Sequence, residues 1–431
     1  MKSIKLKVST MFEWIIIFCC FLMLGYTLLS EKEYIGYYTA RSIVAILSIM
    51  MAVVTVIIAP KTSSFKRIIC FLNRYIIPYS LFMLIMCLYS LIAYHYEMGD
   101  LYKVVLPYLF VYLAYPISYI FYQKKSMRKL MMKIAVLVIG ILILKTISWY
   151  LYNFQEMVVF ERLLFEYDKW FRNGLQRVNS GYLVGIVTVF LFAEGSIGIK
   201  KIYYYSMVAF IIFFLACVSA YRFQVITTCL VCAVVYYFYE GENKKSFFRR
   251  VLLFFLIIVL FISEPVQNLI SSFAVSQSGI GYSTLVRLMN IQHYFKLMFD
   301  RVAVLGLGFI AKDNASSLAL MSYNGSEIFW LEDVGILGGF FRFGIFSIFL
   351  YGYPFYHAIA ICKTLKNNNR LNLRPIAFGI TTYMIVSCIV LNMFDGQRSF
   401  DVPFYIAILA YLKYCTYSNT QGNNFHILAK E

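Results

Sequence analysis

Residues 333–346 read DVGILGGFFRFGIF. An acid opens the run, glycines punctuate it, Arg342 stands inside an otherwise apolar helix, and Glu332 lies immediately before Asp333. The run closes a segment from Glu264 to Gly344, the only long part of the chain that is not plainly lipid-soluble. Read as a helix re-entering an apolar medium from a polar loop, it decides the class of the whole molecule.

The surrounding sequence supports that reading. It is 61% hydrophobic and 14% charged, with mean hydropathy +0.73, whereas about a quarter of the residues of a soluble domain carry charge. Runs long enough to cross a hydrocarbon core, about 20 residues each, recur at 12–30, 41–59, 75–96, 103–122, 134–152, 180–193, 202–219, 223–239, 251–270, 334–361, 375–394 and 402–417. The expected fold is all-α, a polytopic integral membrane protein of about twelve transmembrane helices. Residues 1–431 form a single membrane domain, and 264–333 form a long external loop between the ninth and tenth spans. The start, MKSIKLKVST before a long apolar run, lacks a small-residue cleavage site and reads as the first retained span. The ten cysteines lie mostly in apolar runs, as Cys19, Cys20, Cys217 and Cys388 do, without metal-like spacing, and read as small apolar residues.

Charge sets the orientation. With the N-terminus cytoplasmic, inner segments hold Lys2, Lys5 and Lys7, then Lys61, Lys66, Arg67 and Arg74, then Lys124, Lys125, Arg128, Lys129 and Lys133, and later the 240–250 loop, Lys363, Lys366, Arg374 and Lys413. The acids lie mainly outside, so the net charge of +18 follows the positive-inside rule. Both termini are then cytoplasmic, and nucleic acid is not needed to explain the basic balance. The tail, SNTQGNNFHILAKE, is polar and loose.

Several outer features carry chemistry. Between Asn153 and Asn179, FQEMVVFERLLFEYDKWFRNGLQRV mixes charges with apolar residues at near-helical spacing and reads as an interfacial helix or a simple connector. The tight turn SAYRFQ places Arg222 at the first turn of the next span, where a charge must snorkel or meet a partner. In the long loop, Pro265 breaks the helix and SSFAVSQSGIGYST is glycine-containing and mobile in type. TLVRLMNIQHYFKLMF follows as an amphipathic helix carrying Arg287 and His293, and VLGLGF supplies a turn. Asn314-Ala315-Ser316 and Asn324-Gly325-Ser326 match a glycosylation pattern that arises often by chance. MFDGQRSFD puts Asp395, Arg398 and Asp401 on the same outer face. No internal repeat is visible.

Arginine suits phosphate because its planar fork binds two oxygens and stays charged. Arg172, Arg177, Arg222, Arg287, Arg342 and Arg398 are the outer candidates, and Arg222 and Arg287 the favoured pair; snorkelling to headgroups is the alternative for any one of them. A general base would come from Asp333, Glu332 or His293. Asp333 equally suits an N-cap of the re-entering helix. No metal site is expected, and no cofactor.

SAYRFQ, the amphipathic TLVRLMNIQHYF leading to a GLG turn, and the loop closing in LEDVGILGGFFRFGIF together resemble the Wzy-type O-antigen and capsular polysaccharide polymerases and the related O-antigen ligases, over about residues 180–360. In the ligase branch a His-Asn pair closes the loop; here Asp333 stands at the equivalent spacing from Gly344, a carboxylate in place of histidine. The resemblance implies a membrane glycosyltransferase of the bacterial cytoplasmic membrane. In it, Arg222 and Arg287 bind the pyrophosphate of an undecaprenyl-pyrophosphate-linked oligosaccharide, which is transferred to a sugar hydroxyl with inversion and without a metal. Its partners would be the lipid bilayer, a chain-length regulator and a flippase. A secondary transporter or lipid-linked oligosaccharide flippase is the competing class, but carriers usually show repeated halves and charges in mid-span.

Overall fold

The computed structural model describes residues 2–29, 36–58, 63–164, 171–172, 174–197, 201–238, 282–300, 304–323, 327–367, 373–390, 392–394 and 398–418. The expected ninth span at 251–270, Pro265 and the glycine-containing stretch after it, the basic 240–250 loop, the 324–326 tripeptide, Asp395 and the 419–431 tail lie outside the described residues.

Helices dominate. Among the described residues the only strands are two short antiparallel pairs, Phe171–Arg172 with Leu175–Gln176 and Ser322–Tyr323 with Glu327–Ile328. Six helical stretches are long and apolar enough to cross a membrane: Lys7–Gly25, Tyr37–Ile58, Ser64–Tyr94, Met98–Lys124, Arg128–Gln155 and Lys201–Val218. Val184–Ser196, Arg222–Phe238 and Arg374–Val390 are shorter apolar helices. The chain is a multi-pass helical membrane protein in contact with lipid, as its exposed Ile57, Ile92 and Val136 also require.

Val402–Ser418 is the hub. Apart from Lys413 it carries no charge, and it is buried along nearly its whole length, which is how a helix without a broad polar face is accommodated. It packs on Ala114–Lys124, Ser63–Tyr94 and Phe346–Asn367. Arg222–Phe238 lies against Arg374–Val390, and both lie against Val184–Ile197. Pro354 sits inside Phe346–Asn367 and has no N–H for the carbonyl four residues back. The Tyr75 hydroxyl donates to that orphaned Leu350 oxygen at 3.2 Å.

Buried polar contacts sort into two end layers. At one end Lys124 and Lys133 converge on Glu13, the latter at 3.1 Å, and Arg128 meets Glu194 at 3.1 Å. At the other, Arg41 donates to the Tyr182 hydroxyl at 3.0 Å, Leu183 N–H to Asp401 at 2.8 Å and the Phe309 N–H to Ser90 at 2.8 Å. Glu13 with Lys124 and Lys133, and Glu194 with Arg128, thus form two buried ion-pair groups at one end.

Two expectations change. The run 334–361 is not one continuous helix: Ile336–Phe343 ends at Gly344, whose φ is 55°, and Phe346–Asn367 starts afresh. The segment after Asn153 is not a long interfacial helix but a single turn, Glu161–Leu164, followed by the 171–176 hairpin. Its local cause is Asn153, which accepts the Gln176 N–H at 2.8 Å and donates to the Gln176 carbonyl at 3.3 Å, an imitation of strand pairing.

Candidate functional site

The turn at 219–221 is the first anchor. Helix Lys201–Phe213 widens into a π-turn, Phe214–Val218, and Ala220 takes φ 49°, a left-handed conformation unusual for alanine. π-turns and strained backbone gather at functional positions. Here they turn the Ser219 and Ala220 carbonyls outward, and both are claimed by arginines of the hairpin. Arg172 Nη1 donates to Ala220 O at 2.6 Å, Arg177 Nε to Ser219 O at 2.8 Å and Arg177 Nη2 to Ala220 O at 3.4 Å. Cations at a helix C-terminus are favourable, and these contacts fix where Arg222 opens the next helix.

The second anchor is the amphipathic helix Tyr282–Asp300. Asn290 donates to Trp330 O at 2.8 Å and Tyr294 to Phe329 O at 2.6 Å. His293 Nε2 lies 2.7 Å from Leu320 O, so that nitrogen carries the proton. The helix therefore grips both sides of the 320–330 segment. Arg287, Asn290 and Tyr294 follow one another at helical spacing on one face, which sets Arg287 beside the end of the gripped loop.

That end is the one-turn 3-10 helix Leu331–Val334. Asp333 does not cap the following helix; Gly335 occupies the N-cap position, and no described residue hydrogen-bonds to the Asp333 carboxylate. The Asp333 side chain is exposed to solvent, yet enough protein packs near it to desolvate the carboxylate in part. Burial, foremost, raises its pKa, the neighbouring Glu332 raises it further, and the positive charge of Arg287 draws it back.

The arginines meet here. Arg172 responds first to burial and then to the charges of Arg222 and Arg287, all of which lower its pKa. Arg177, buried, is brought down to about 10 by burial, then by Arg172, with Arg222 adding to the effect and Tyr221 opposing it. Four guanidiniums from three separate segments thus share one neighbourhood with Asp333 at its edge. Such a group of like charges makes a positive local potential that favours an anion.

Arg342 and Arg398 have partners of their own. Arg342 pairs with Glu332 at 2.6 Å and donates to the Tyr108 hydroxyl at 2.8 Å. Arg398 hydrogen-bonds to Tyr383, which also bonds to Gln224, two residues after Arg222. Its neighbour Asp401 accepts from Leu183 N–H, and burial pushes that carboxyl up to about 7 despite Arg398. The glycine turn is tied to the end of Ile336–Phe343: Leu307 and Gly308 N–H donate to the Phe341 and Arg342 carbonyls, each at 2.8 Å.

Sequence reasoning passed over Tyr108, Gln224, Tyr383 and Lys145. Lys145 sits buried in Arg128–Gln155 and donates to Asn179 O at 2.9 Å. A lysine inside an apolar run was the available signal. Among the described residues no group of three or more His, Cys, Asp or Glu is placed to hold a metal ion.

The class defined by fold and site is a multi-pass helical membrane protein with a cluster of arginines and a carboxylate at its edge. No family model matches the chain, and no curated protein matches it.

Proposed function

We propose that this protein is a polysaccharide polymerase of about twelve spans in a bacterial cytoplasmic membrane, with both termini cytoplasmic. It transfers an undecaprenyl-pyrophosphate-linked glycan to the sugar hydroxyl of a lipid-linked repeat unit at the outer face. The observation that carries the reading is that Arg172 and Arg177 both donate to the Ala220 carbonyl, two residues before Arg222, with Arg287 within electrostatic reach of Arg172 and of Asp333. A pyrophosphate offers the paired oxygens that forked donors bind best, and a lipid-linked donor explains why the arginine cluster belongs to a membrane domain.

In this reading the acceptor hydroxyl attacks the anomeric carbon and Asp333 takes its proton. The carbon–oxygen bond to the pyrophosphate breaks, and undecaprenyl pyrophosphate leaves with the bonding pair. The arginines stabilise the charge that grows on the leaving group. Arg172 and Arg177 hold the 219–221 turn as well, and His293 positions the loop rather than acting as base. Glu332 is committed to Arg342.

The test uses purified protein in liposomes with a lipid-linked repeat unit, scoring the product ladder. The wild type should yield chains, and Asp333→Asn should lower the rate by about a hundredfold, as expected for loss of a general base. Donor crossing the bilayer without bond formation would instead establish a carrier.

A further inference from the structure

Away from the arginine cluster, three basic side chains meet with no acid among them. Arg74 on Ser63–Tyr94, His357 on Phe346–Asn367 and Lys413 on Val402–Ser418 come together where those helices cross. Lys413 Nζ lies 3.3 Å from His357 Nδ1 and 5.0 Å from the centre of the Phe71 ring. Arg74 is close enough for its charge to act on both. Tyr353 meets the His357 ring edge-on at 4.4 Å between centroids. Among the described residues no ion pair reaches any of the three, and Arg74 makes no hydrogen bond.

An ammonium only donates, so His357 Nδ1 is the acceptor and its ring is neutral with the proton on Nε2. His357 therefore orients Lys413 without cancelling its charge, and leaves it two further N–H donors. Arg74, exposed, keeps its fork open beside them. Along Ser63–Tyr94 it stands about 30 Å from Tyr94, at 1.5 Å per residue. Tyr94 donates to Leu307 in the glycine turn, so the cluster lies well away from that turn along the bundle. Tyr356, Ile359 and Tyr417 are exposed on the same two helices, the mixed aromatic and apolar surround found at a membrane interface.

We infer that Arg74 and Lys413 form a binding site for the phosphate of an anionic phospholipid, with His357 as the positioning residue. Oriented donors of one sign, with no carboxylate among the described residues paired to them, match a phosphodiester, and the exposed apolar neighbours match the glycerol and acyl portion beneath it. The site is independent of the outer arginine cluster and of the reaction proposed for it.

The full-length protein, purified in detergent, is titrated with phosphatidylglycerol, with phosphatidylcholine and with inorganic phosphate, and bound species are counted by native mass spectrometry. Phosphatidylglycerol should be retained over phosphatidylcholine. Arg74→Gln and Lys413→Gln should each weaken retention about tenfold, the worth of a hydrogen bond to a charged group. Lys363→Gln, which removes an exposed charge from the same helix as His357, should change it by less than about twofold. Arg74 is exposed, so its variant should fold, with Lys413→Arg as the conservative partner that retains binding. Equal loss from Lys363→Gln, or equal retention of both lipids, would overturn the site. Displacement of phosphatidylglycerol by inorganic phosphate at the same concentration would overturn its assignment to lipid.

Discussion

Arg342 Nη2 lies 2.6 Å from Glu332 Oε1, so the arginine inside the re-entering helix neutralises the acid at that helix's mouth. The pair is mostly sequestered, with side-chain exposures of 8% and 19%. Its Tyr108 contact ties it to a third segment. The pair thereby holds the loop end, and Asp333 with it, against the bundle.

Breaking one side of this pair should destabilise the protein. Arg342→Met or Glu332→Leu leaves an uncompensated charge, at a cost of roughly 3 kcal/mol. The double variant should recover most of that loss, since two apolar groups replace two charges. Thermal unfolding in detergent reads it; a double variant no better than its worse parent would show that the pair acts through something other than charge balance.

The junction of Gly306 and Gly344 should tolerate no side chain. Both have positive φ, 75° and 55°. A Cβ on Gly306 would stand 2.5 Å from the Gly344 nitrogen, and one on Gly344 2.2 Å from the Val304 oxygen. Backbone cannot yield as a side chain does, so Gly306→Ala and Gly344→Ala should each lose well over about 1 kcal/mol. Gly140→Ala, with nothing within 4 Å of the added Cβ, should be neutral or stabilising. Abundance in membranes and unfolding temperature distinguish the three.

Much of this site is legible in sequence, for identifiable reasons. A charge that interrupts an apolar run is conspicuous, and that rule picked out Arg222 and Arg342 although it passed over Lys145. Helical periodicity located Tyr282–Asp300 and with it Arg287. Partnership was not legible, because it is long-range. Nothing near Arg342 signals Tyr108, and nothing near Arg172 signals the Ala220 carbonyl. The N-cap expectation for Asp333 failed because the glycine two residues on adopts φ 60° and takes the cap position. The 171–176 hairpin was missed because its pairing is completed by an asparagine side chain, which leaves no alternating pattern to read.

Asp333 should set the acid limb of the rate against pH. Its raised pKa means that the folded protein favours the neutral carboxyl. Its contribution to stability is therefore fully present below the unfolded pKa and is lost as pH rises through the folded value. Activity runs the other way, because a base must be ionised. The limb should lie above the ordinary aspartate range, and Arg287→Gln, which removes the opposing positive charge, should move it to higher pH. Initial rates in liposomes across the acid range measure this, and a limb unmoved by Arg287→Gln would assign it to another group.

Topology is tested by labelling. In a cysteine-free background, a cysteine at the exposed Ser316 should react with a membrane-impermeant maleimide in intact cells, and one at Lys363 only after the cells are opened. The reverse pattern would put the arginine cluster on the cytoplasmic side.

Binding of undecaprenyl pyrophosphate to the arginine cluster tests the central claim most directly. Arg222→Lys and Arg287→Lys keep the charge but remove the fork, so a site built for paired phosphate oxygens predicts that each weakens binding at least about tenfold in equilibrium titration, nearly as much as alanine does. Wild-type affinity in both lysine variants, with alanine alone weakening it, would contradict bidentate recognition and reduce these residues to a diffuse positive surface.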